Sequence, residues 1–259
     1  MILFSNAKIN IGLQIKGKRH DSYYNLESIF YPIPLHDLIE IKIAQTDTFS
    51  QSGIEIDPIN NLIVSAVGLL HKDFDFPPIH IHLHKQIPLG SGLGGGSSNA
   101  TCVLKGLNDL FNFNIGETEM QEYALNLGSD CPFFIQNKVS LVKGRGEIIN
   151  PIDFSLAGKF IHLIYPDIHI STAEAFESME RSISTHINLA ETANWLAFKN
   201  DFEFGAVIGH TEVGKYINVL KKSGSIFTSL SGTGSSVYGI FNSKPETLKG
   251  VSNWVFELE

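Results

Sequence analysis

Cysteine is scarce in this sequence, with Cys102 and Cys131 as the only two among 259 residues. Two cysteines are too few for a disulfide framework, and their neighbours do not have the spacing of a zinc site. We therefore expect two buried thiols in a protein of a reducing compartment.

Positive charge and long apolar runs are also lacking. Nineteen Lys and Arg against 27 Asp and Glu leave a formal net charge of −8, which disfavours a nucleic-acid partner. No apolar run reaches the roughly 20 residues of a membrane span, and the N-terminus has no signal-peptide pattern. The expected protein is cytoplasmic, with no membrane partner. A nucleotide is not excluded, because it needs only a local positive site.

Glycine, by contrast, is concentrated in one stretch between a strand pattern and a helix pattern. The stretch is Pro88-Leu89-Gly90-Ser91-Gly92-Leu93-Gly94-Gly95-Gly96-Ser97-Ser98. Glycine lets a ligand lie against the main chain, so a larger residue at Gly95 is expected to block it. Ser97, Ser98 and Asn99 are expected to cap the helix that follows. The free N–H groups and the dipole of that helix predict a phosphate-binding loop.

Other glycine-rich loops fit this context less well. A Walker A loop needs Lys after its last glycine, where this chain has Ser97. The spacing Gly90-x-Gly92-x-x-Gly95 satisfies the dinucleotide-binding expression, but a second helix pattern follows where a parallel strand is required. A protein-kinase glycine loop does not open a helix, and a flexible linker would not lie between two periodic apolar elements.

Polar residues alternate with apolar ones in two strand patterns. In Lys8–Ile15 the alternation places Lys8 and Asn10 on one face, which is either a solvated face or part of a site. In Ile79–His84 it places three histidines on one face. These span roughly 13 Å, too far for all three to bind one ion, so a polar sheet face is expected.

The remaining patterns predict a mixture of strands and helices. Capping boxes are expected at Thr118 with Gln121 and at Ser171 with Glu174. The predicted strands cover 26–33, 38–43, 139–149, 159–165, 225–230, 237–241 and 254–258, and the predicted helices cover 62–70, 117–127, 171–179, 189–198, 202–208 and 213–220.

Two further motifs contain polar side chains that could take part in catalysis or binding. In Gly128-Ser129-Asp130-Cys131-Pro132-Phe133-Phe134 an acid precedes an apolar helix, either as its cap or as a general base. The loop Ser231-Gly232-Thr233-Gly234-Ser235-Ser236 is explained by a tight connection between two strands.

Taken in order, these motifs resemble the GHMP kinases. The resemblance rests on Ala7-Lys8-Ile9-Asn10, the glycine loop, the Asp130 motif and Ser231-Gly232-Thr233-Gly234, and it spans nearly the whole chain. The Asp130 motif and the Ala-Lys-Ile-Asn start are most similar to the GHMP kinases that phosphorylate a cytidyl alcohol.

The resemblance implies an α+β protein of two domains. It suggests a ribosomal S5 domain 2-like N-terminal domain, 1–152, and a C-terminal ferredoxin-like sandwich, 153–259. It further implies ATP as co-substrate, Mg²⁺, a small-molecule cytidyl diphosphate substrate and a monomer or homodimer. The implied reaction is phosphorylation of the 2-hydroxyl of 4-diphosphocytidyl-2-C-methyl-D-erythritol in isoprenoid precursor synthesis.

Residue roles also follow from the resemblance. It assigns catalysis to Lys8 and Asp130, and ATP binding to residues 88–98, the glycine loop. It also assigns substrate binding to Asn10, Tyr23, Tyr24, Thr172 and Phe176, with Tyr23 and Phe176 holding the cytosine. No firm metal ligand is implied, and Ser98 is a candidate by placement alone.

The chain departs from the family pattern at two places. The family's Gly-Tyr-His reads Ser22-Tyr23-Tyr24, so a tyrosine replaces the usual histidine. The first half of the glycine loop reads Leu89-Gly90-Ser91-Gly92, a milder change because Gly92 and the later glycines remain.

Two alternative functions stay open at this point. Another GHMP kinase, acting on mevalonate, phosphomevalonate or homoserine, would leave the aromatic pair without a base to stack on. A non-catalytic nucleotide-binding protein of the same fold is disfavoured by the retention of both Lys8 and Asp130.

Overall fold

The computed structural model describes residues 1–20, 23–57, 61–179 and 187–259. Two compact units are present: the first comprises Met1–Ala7, Leu35–Leu89 and Gly94–Lys138, and the second Lys8–Pro34, Gly90–Leu93 and Val139–Glu259. These units interleave along the chain, whereas two consecutive domains were expected from the sequence, and that division stays a prediction. Across the described ranges, no helix is both long and apolar enough to cross a membrane.

The described elements are ten strands, seven α-helices and one 3-10 helix. In the first half of the chain these are β1 (Ile2–Lys18), β2 (Tyr24–Ile43), β3 (Thr48–Gly53), α1 (Leu62–Leu70), β4 (Ile79–Lys85), α2 (Gly95–Phe111), α3 (Glu117–Leu127) and α4 (Phe133–Gln136). The second half contains β5 (Ser140–Gly144), β6 (Ile148–Pro151), β7 (Phe160–Tyr165), α5 (Thr172–Met179), the 3-10 helix Thr192–Ala197, α6 (Glu203–Gly209), α7 (Thr211–Lys222), β8 (Phe227–Leu230), β9 (Val237–Phe241) and β10 (Ser252–Glu257).

In the first unit, three helices cover one face of a small sheet. β4 pairs antiparallel with the second half of β2, and β3 pairs parallel with β4. Alternate residues of β4 are buried, as period two requires, and they pack with the apolar stripe of α2 in one core. Each of these side chains contributes roughly 1.5–3 kcal/mol by leaving water. They are Ile79, Ile81, Leu83, Val103, Leu104 and Leu107.

The second unit contains a four-stranded antiparallel sheet in the order β10-β7-β9-β8. Val213, Ile217 and Leu220 of α7 follow each other at helical spacing and are buried in the same core as Ile164 of β7. Residues 26–30 of β2 pair antiparallel with β5, which in turn pairs with β6. The predicted strand 139–149 is therefore two strands, β5 and β6.

The chain between 24 and 43 forms one strand, and the prediction of two strands with a turn between them was wrong. Pro32 and Pro34 lie inside this strand, although proline cannot donate to a ladder. β5 pairs with residues 26–30 and β4 with residues 38–43, so neither ladder needs an N–H from the prolines.

The helix caps agree with the sequence in one case out of two. Ser171 Oγ accepts a hydrogen bond of 3.1 Å from the Glu174 N–H, as expected. At α3 the N-cap is the extended Gly116, without a side-chain cap, so the predicted capping box at Thr118 was wrong. The helix begins at Glu117, two residues earlier than that box would require.

The three histidines of β4 share one face, and each is hydrogen-bonded to a hydroxyl on β3, a strand that the sequence did not reveal. Ser50 Oγ lies 3.1 Å from His80 Nε2 and 2.8 Å from His82 Nδ1. Ser52 Oγ lies 3.0 Å from His82 Nε2 and 3.0 Å from His84 Nδ1. Thr48 Oγ1 lies 2.8 Å from His80 Nδ1. We call this chain of six residues the hydroxyl–imidazole ladder.

Candidate active site

The helix that follows the glycine loop begins at Gly95, earlier than expected. Its N-cap is Gly94, in the left-handed region at φ 70°, with no side-chain cap. The predicted caps at 97–99 were therefore wrong, since these residues lie inside the helix. Glycine tolerates the positive φ that this helix start requires. The first N–H groups of a helix have no intrahelical partner, so this end is suited to an anion.

Neighbouring glycines in the first turn of α2 face opposite surroundings. A Cβ on Gly95 would lie 2.8 Å from Ile87 Cγ2 and 2.9 Å from Lys85 Nζ, inside the unit. A Cβ on Gly96 would meet only Leu62 Cδ1, at 3.9 Å, and Gly96 is exposed. A side chain at Gly95 would therefore enter the interior of the unit, and contact between the Gly95 backbone and ATP stays a prediction. Gly96 is the position where a side chain would project from the exposed helix start.

The turn containing Asp130 lies against this helix in the first unit. Thr101 Oγ1 of α2 donates to the Cys131 carbonyl at 2.9 Å, and a Cβ on Gly128 would lie 3.8 Å from Ser97 Oγ. The N-cap of α4 is Pro132, with no side-chain cap, so Asp130 does not serve as the cap of α4. Burial raises the pKa of the Cys131 thiol to about 11, which keeps it neutral and unreactive near pH 7.

In the second unit, Lys8 and Asn10 of β1 are buried rather than solvated, at 3% and 1% exposure. Lys8 Nζ donates to Asn10 Oδ1 at 2.6 Å and to the Gly92 carbonyl at 3.3 Å. It also lies 4.5 Å from the centroid of the Phe30 ring. A buried ammonium held by fixed acceptors has a defined position, as a group that stabilises developing negative charge requires.

The second glycine-serine loop contacts the first within this unit, and the sequence did not predict this. Ser231 Oγ donates to the Gly92 carbonyl at 2.9 Å, and the Ser236 N–H donates to the Ser91 carbonyl at 3.1 Å. A Cβ on Gly92 would lie 1.9 Å from the Ser231 carbonyl oxygen. Glycine is therefore required at 92, and the loop Ser231–Ser236 holds residues 90–93 in place.

Asn200 and Tyr238 support these residues of the second unit. Asn200 Nδ2 donates to the carbonyls of Leu230 and Gly232, at 2.9 and 2.8 Å, and so fixes both sides of Ser231. Tyr238 Oη donates to the Asn10 carbonyl at 2.6 Å. No sequence motif marks either residue, because each acts through a partner distant along the chain.

The aromatic residues assigned to the substrate are arranged differently from the expectation. Tyr24 and Phe176 stack directly, with centroids 4.5 Å apart and planes 16° apart, which leaves no space for a base between them. Tyr23 is 54% exposed and lies under Arg145, whose Cζ is 4.8 Å from the ring centroid. Thr172 begins α5 and is exposed. Ser22, the first residue of the altered motif, lies outside the described residues.

A cavity of about 720 Å³ lies elsewhere in the second unit and is lined by residues between Leu196 and Ser229. Burial raises the pKa of one lining residue, Glu203, whose carboxylate accepts from the Leu230 N–H at 3.1 Å. None of the residues predicted for catalysis, ATP or substrate lines this cavity. Asn200, which holds the second loop, is part of its lining, so the cavity adjoins the support of that loop.

Comparison with known proteins agrees with this geometry. Residues 61–138 match the family model described as the GHMP kinases N terminal domain. The chain is 42% identical to a 4-diphosphocytidyl-2-C-methyl-D-erythritol kinase of Bacteroides fragilis, over 96% of this chain and 95% of that protein. A kinase of the same name from Bacteroides thetaiotaomicron is 43% identical, over 99% of both chains.

Solved structures show the same relationship. A crystal structure of 4-(cytidine 5'-diphospho)-2C-methyl-D-erythritol kinase matches with TM-score 0.81 and 25% identity, covering 93% of this chain and 90% of that one. A mevalonate kinase from Staphylococcus aureus matches in fold, with TM-score 0.67 and 13% identity, over 99% of this chain and 98% of that one.

The fold and the glycine-loop helix thus define an enzyme of the GHMP kinase class, α+β in architecture. Within that class, the chain belongs to the 4-diphosphocytidyl-2-C-methyl-D-erythritol kinase family.

Proposed function

We propose that this chain transfers the γ-phosphoryl group of ATP to the 2-hydroxyl of 4-diphosphocytidyl-2-C-methyl-D-erythritol, a step in non-mevalonate isoprenoid synthesis. The observation that carries the proposal is an identity above 40% to kinases of that name over nearly the full chain. The two free cysteines support a reducing, cytoplasmic location. A monomer or homodimer remains our expectation for the assembly.

Phosphate binding is proposed for the N-terminal turn of α2. The left-handed Gly94 turns the chain into the helix, and exposed Gly96 leaves the helix start uncovered by a side chain. The N–H groups of the first turn then point at the phosphates, and the helix dipole favours their negative charge. The assignment of residues 90–93 to ATP stays a prediction.

For the chemical step, we assign Asp130 as the general base. The acceptor hydroxyl must lose a proton as it attacks phosphorus, and a positioned carboxylate that takes it is typically worth 10²–10⁴-fold in rate. Lys8 is assigned to the charge that develops on the attacking oxygen and the transferred phosphoryl group. Asn10 fixes the Lys8 ammonium through the 2.6 Å hydrogen bond.

We infer that the enzyme uses Mg²⁺, which would neutralise negative charge on the phosphate groups of ATP. The Ser98 hydroxyl, the candidate ligand by placement, is only 2% exposed and accepts a hydrogen bond of 2.8 Å from Ser5 Oγ. Ser98 is therefore occupied within the protein, and we assign no side chain as a metal ligand; Mg²⁺ would be held mainly by the phosphate oxygens of ATP.

The test is an assay of the purified protein with Mg·ATP and a panel of alcohols, scored by ADP release. We expect turnover of the cytidyl alcohol and none of mevalonate, phosphomevalonate or homoserine. Asp130→Asn should lower kcat about 100-fold or more while ADP binding, measured by calorimetry, persists. Preference for mevalonate, or full activity of Asp130→Asn, would refute the corresponding assignment.

A further inference from the structure

A fully buried carboxylate, Asp37, lies beneath the glycine loop in the first unit and accepts four hydrogen bonds. Its Oδ1 accepts from the N–H groups of Gln86 and Ile87, at 2.7 and 2.8 Å. Its Oδ2 accepts from Lys85 Nζ and from Asn99 Nδ2, the latter at 2.9 Å. Asp37 is 0% exposed, so these four donors replace water entirely.

The positions of these donors in the chain are significant. Gln86 and Ile87 immediately precede Pro88, the first residue of the glycine loop, and Asn99 immediately follows Ser98, the last. One carboxylate therefore holds both ends of an eleven-residue loop that contains five glycines. Because glycine has the most backbone freedom to lose, such a loop benefits most from having its ends held.

The same carboxylate neutralises a cation directly behind the helix start. Lys85 is 2% exposed, and desolvation lowers its pKa, which the charge of Asp37 opposes. Lys85 Nζ lies 2.9 Å from the position that a Cβ on Gly95 would occupy. The ion pair thus packs against the first turn of α2, whose N–H groups we assign to phosphate.

A second connection reinforces the first. Asn99 Nδ2 also donates to Ser5 Oγ at 3.0 Å, and Ser5 Oγ donates to Ser98 Oγ at 2.8 Å. Both Ser5 and Ser98 are 2% exposed. Asn99 therefore connects the first turns of α2 to Asp37 and to β1 by hydrogen bonds that water cannot readily replace.

We propose that Asp37, acting through Asn99 and Lys85, is a positioning residue that presets the glycine loop for the phosphates of ATP. The proposal rests on the proposed function in taking ATP as the ligand of that loop. A preset loop does not have to be ordered by the nucleotide, so the network acts on nucleotide affinity and leaves the alcohol site unaffected.

The experiment compares two network variants with a matched control. Asn99→Ala cuts the link to the helix while Asp37 keeps three donors. The double variant Asp37→Asn/Lys85→Met removes the ion pair together, because Asp37→Asn alone would leave a buried charge unpaired and endanger folding. The control is Tyr123→Phe, which removes a 2.7 Å hydrogen bond to Asp73 in the same unit, outside the network.

We expect both network variants to bind ADP at least fivefold more weakly by calorimetry and to raise KM for ATP similarly. KM for the cytidyl alcohol should stay within twofold, and Tyr123→Phe should match wild type in all three values. Unchanged ADP affinity in folded network variants would overturn the proposal, as would equal loss of both KM values in network and control variants. Since ADP binding needs no turnover, this result is independent of whether the alcohol assignment holds.

Discussion

At the scale of single residues, the most unusual group is the Lys8 ammonium, which is buried beside an amide and a carbonyl in the second unit. Lys8→Met keeps the length of the side chain and removes its charge. We expect kcat to fall by about 100-fold, because the charge acts on groups that become negative only during transfer. Steady-state kinetics with saturating ATP would measure this loss.

The double variant Lys8→Met/Asp130→Asn provides the matching control. If both residues act on one hydroxyl, the double variant should be only slightly slower than either single variant. Losses that multiply would mean that the two side chains contribute independently, contrary to the proposed mechanism.

The second prediction at the scale of single residues concerns Phe176. Its ring is stacked with Tyr24 and makes a T-shaped, edge-to-face contact with Phe202, with centroids 4.9 Å apart. Stacking of a base on an aromatic is worth roughly 1–3 kcal/mol, so Phe176→Ala should raise KM for the cytidyl alcohol at least fivefold and leave KM for ATP nearly unchanged. Phe74→Leu, in the aromatic cluster of the first unit, serves as the control. Normal turnover of the alcohol by Phe176→Ala would exclude Phe176 from cytosine binding.

At the scale of elements, the first turn of α2 has a buried side, at Gly95, and an exposed side, at Gly96, so substitutions there test packing and phosphate binding separately. Gly96→Val adds a side chain on the exposed side of the first turn, where only Leu62 is near. We expect the protein to fold with little change in Tm and to bind ADP at least tenfold more weakly, since the valine would project from the proposed phosphate site.

Gly95→Val tests the buried side of the same turn. Its side chain would collide with Ile87 and Lys85, so the expected effect is lower thermal stability. Thermal unfolding and calorimetry on both variants distinguish the two outcomes. Unaltered ADP affinity in folded Gly96→Val would argue against the helix N-terminus as the phosphate site.

Elements with strong local periodicity could be predicted from the sequence, whereas elements defined by distant pairing could not. The helix 62–70 and the strand 237–241 occupy the predicted ranges. β3, in contrast, is polar and short, and its place is set by pairing with β4 about 30 residues away. The continuity of β2 through two prolines depends equally on which partners its two halves find.

At the scale of the whole molecule, both thiols make stability fall in alkali. Burial raises the pKa of Cys102 and of Cys131 to about 11, from 9.0. Between pH 9 and 11 the unfolded chain releases these protons while the folded chain keeps them, so the free energy of unfolding decreases as pH rises. Each shift corresponds to on the order of 2–3 kcal/mol at the upper end of this window.

A variant with Cys102→Ala and Cys131→Ala should therefore lose less stability than wild type between pH 8.5 and 10.5. Urea unfolding at several pH values would measure the two slopes, and native thiols should react slowly with a thiol reagent at pH 8. Parallel slopes in both proteins, or fast labelling of native thiols, would contradict a pKa raised by burial for these two thiols.

The candidate site was likewise only partly predictable. The glycine loop, Lys8 and the Asp130 motif lie in short contiguous motifs, and their roles were inferred from the resemblance of those motifs to the GHMP kinases. Asp37 and Lys85 are 48 residues apart, and Asn200 is 30 residues from its partner Leu230 in the chain. None of these three residues therefore belongs to a short sequence motif that would indicate its role. Residues that support a site through folded contacts have no sequence signature of their own.

The hydroxyl–imidazole ladder has a consequence for the protons on its rings. Each hydroxyl between two imidazoles has a single proton, so it donates to one ring and accepts from the other. With all rings neutral, His80, His82 and His84 must then share one tautomer, either all Nδ1–H or all Nε2–H. If His82 gains a proton it donates in both directions, which sets His80 to Nδ1–H and His84 to Nε2–H. Protonation of His82 thus places His80 and His84 in opposite tautomers, so the protonation state of one ring determines the tautomers of the other two.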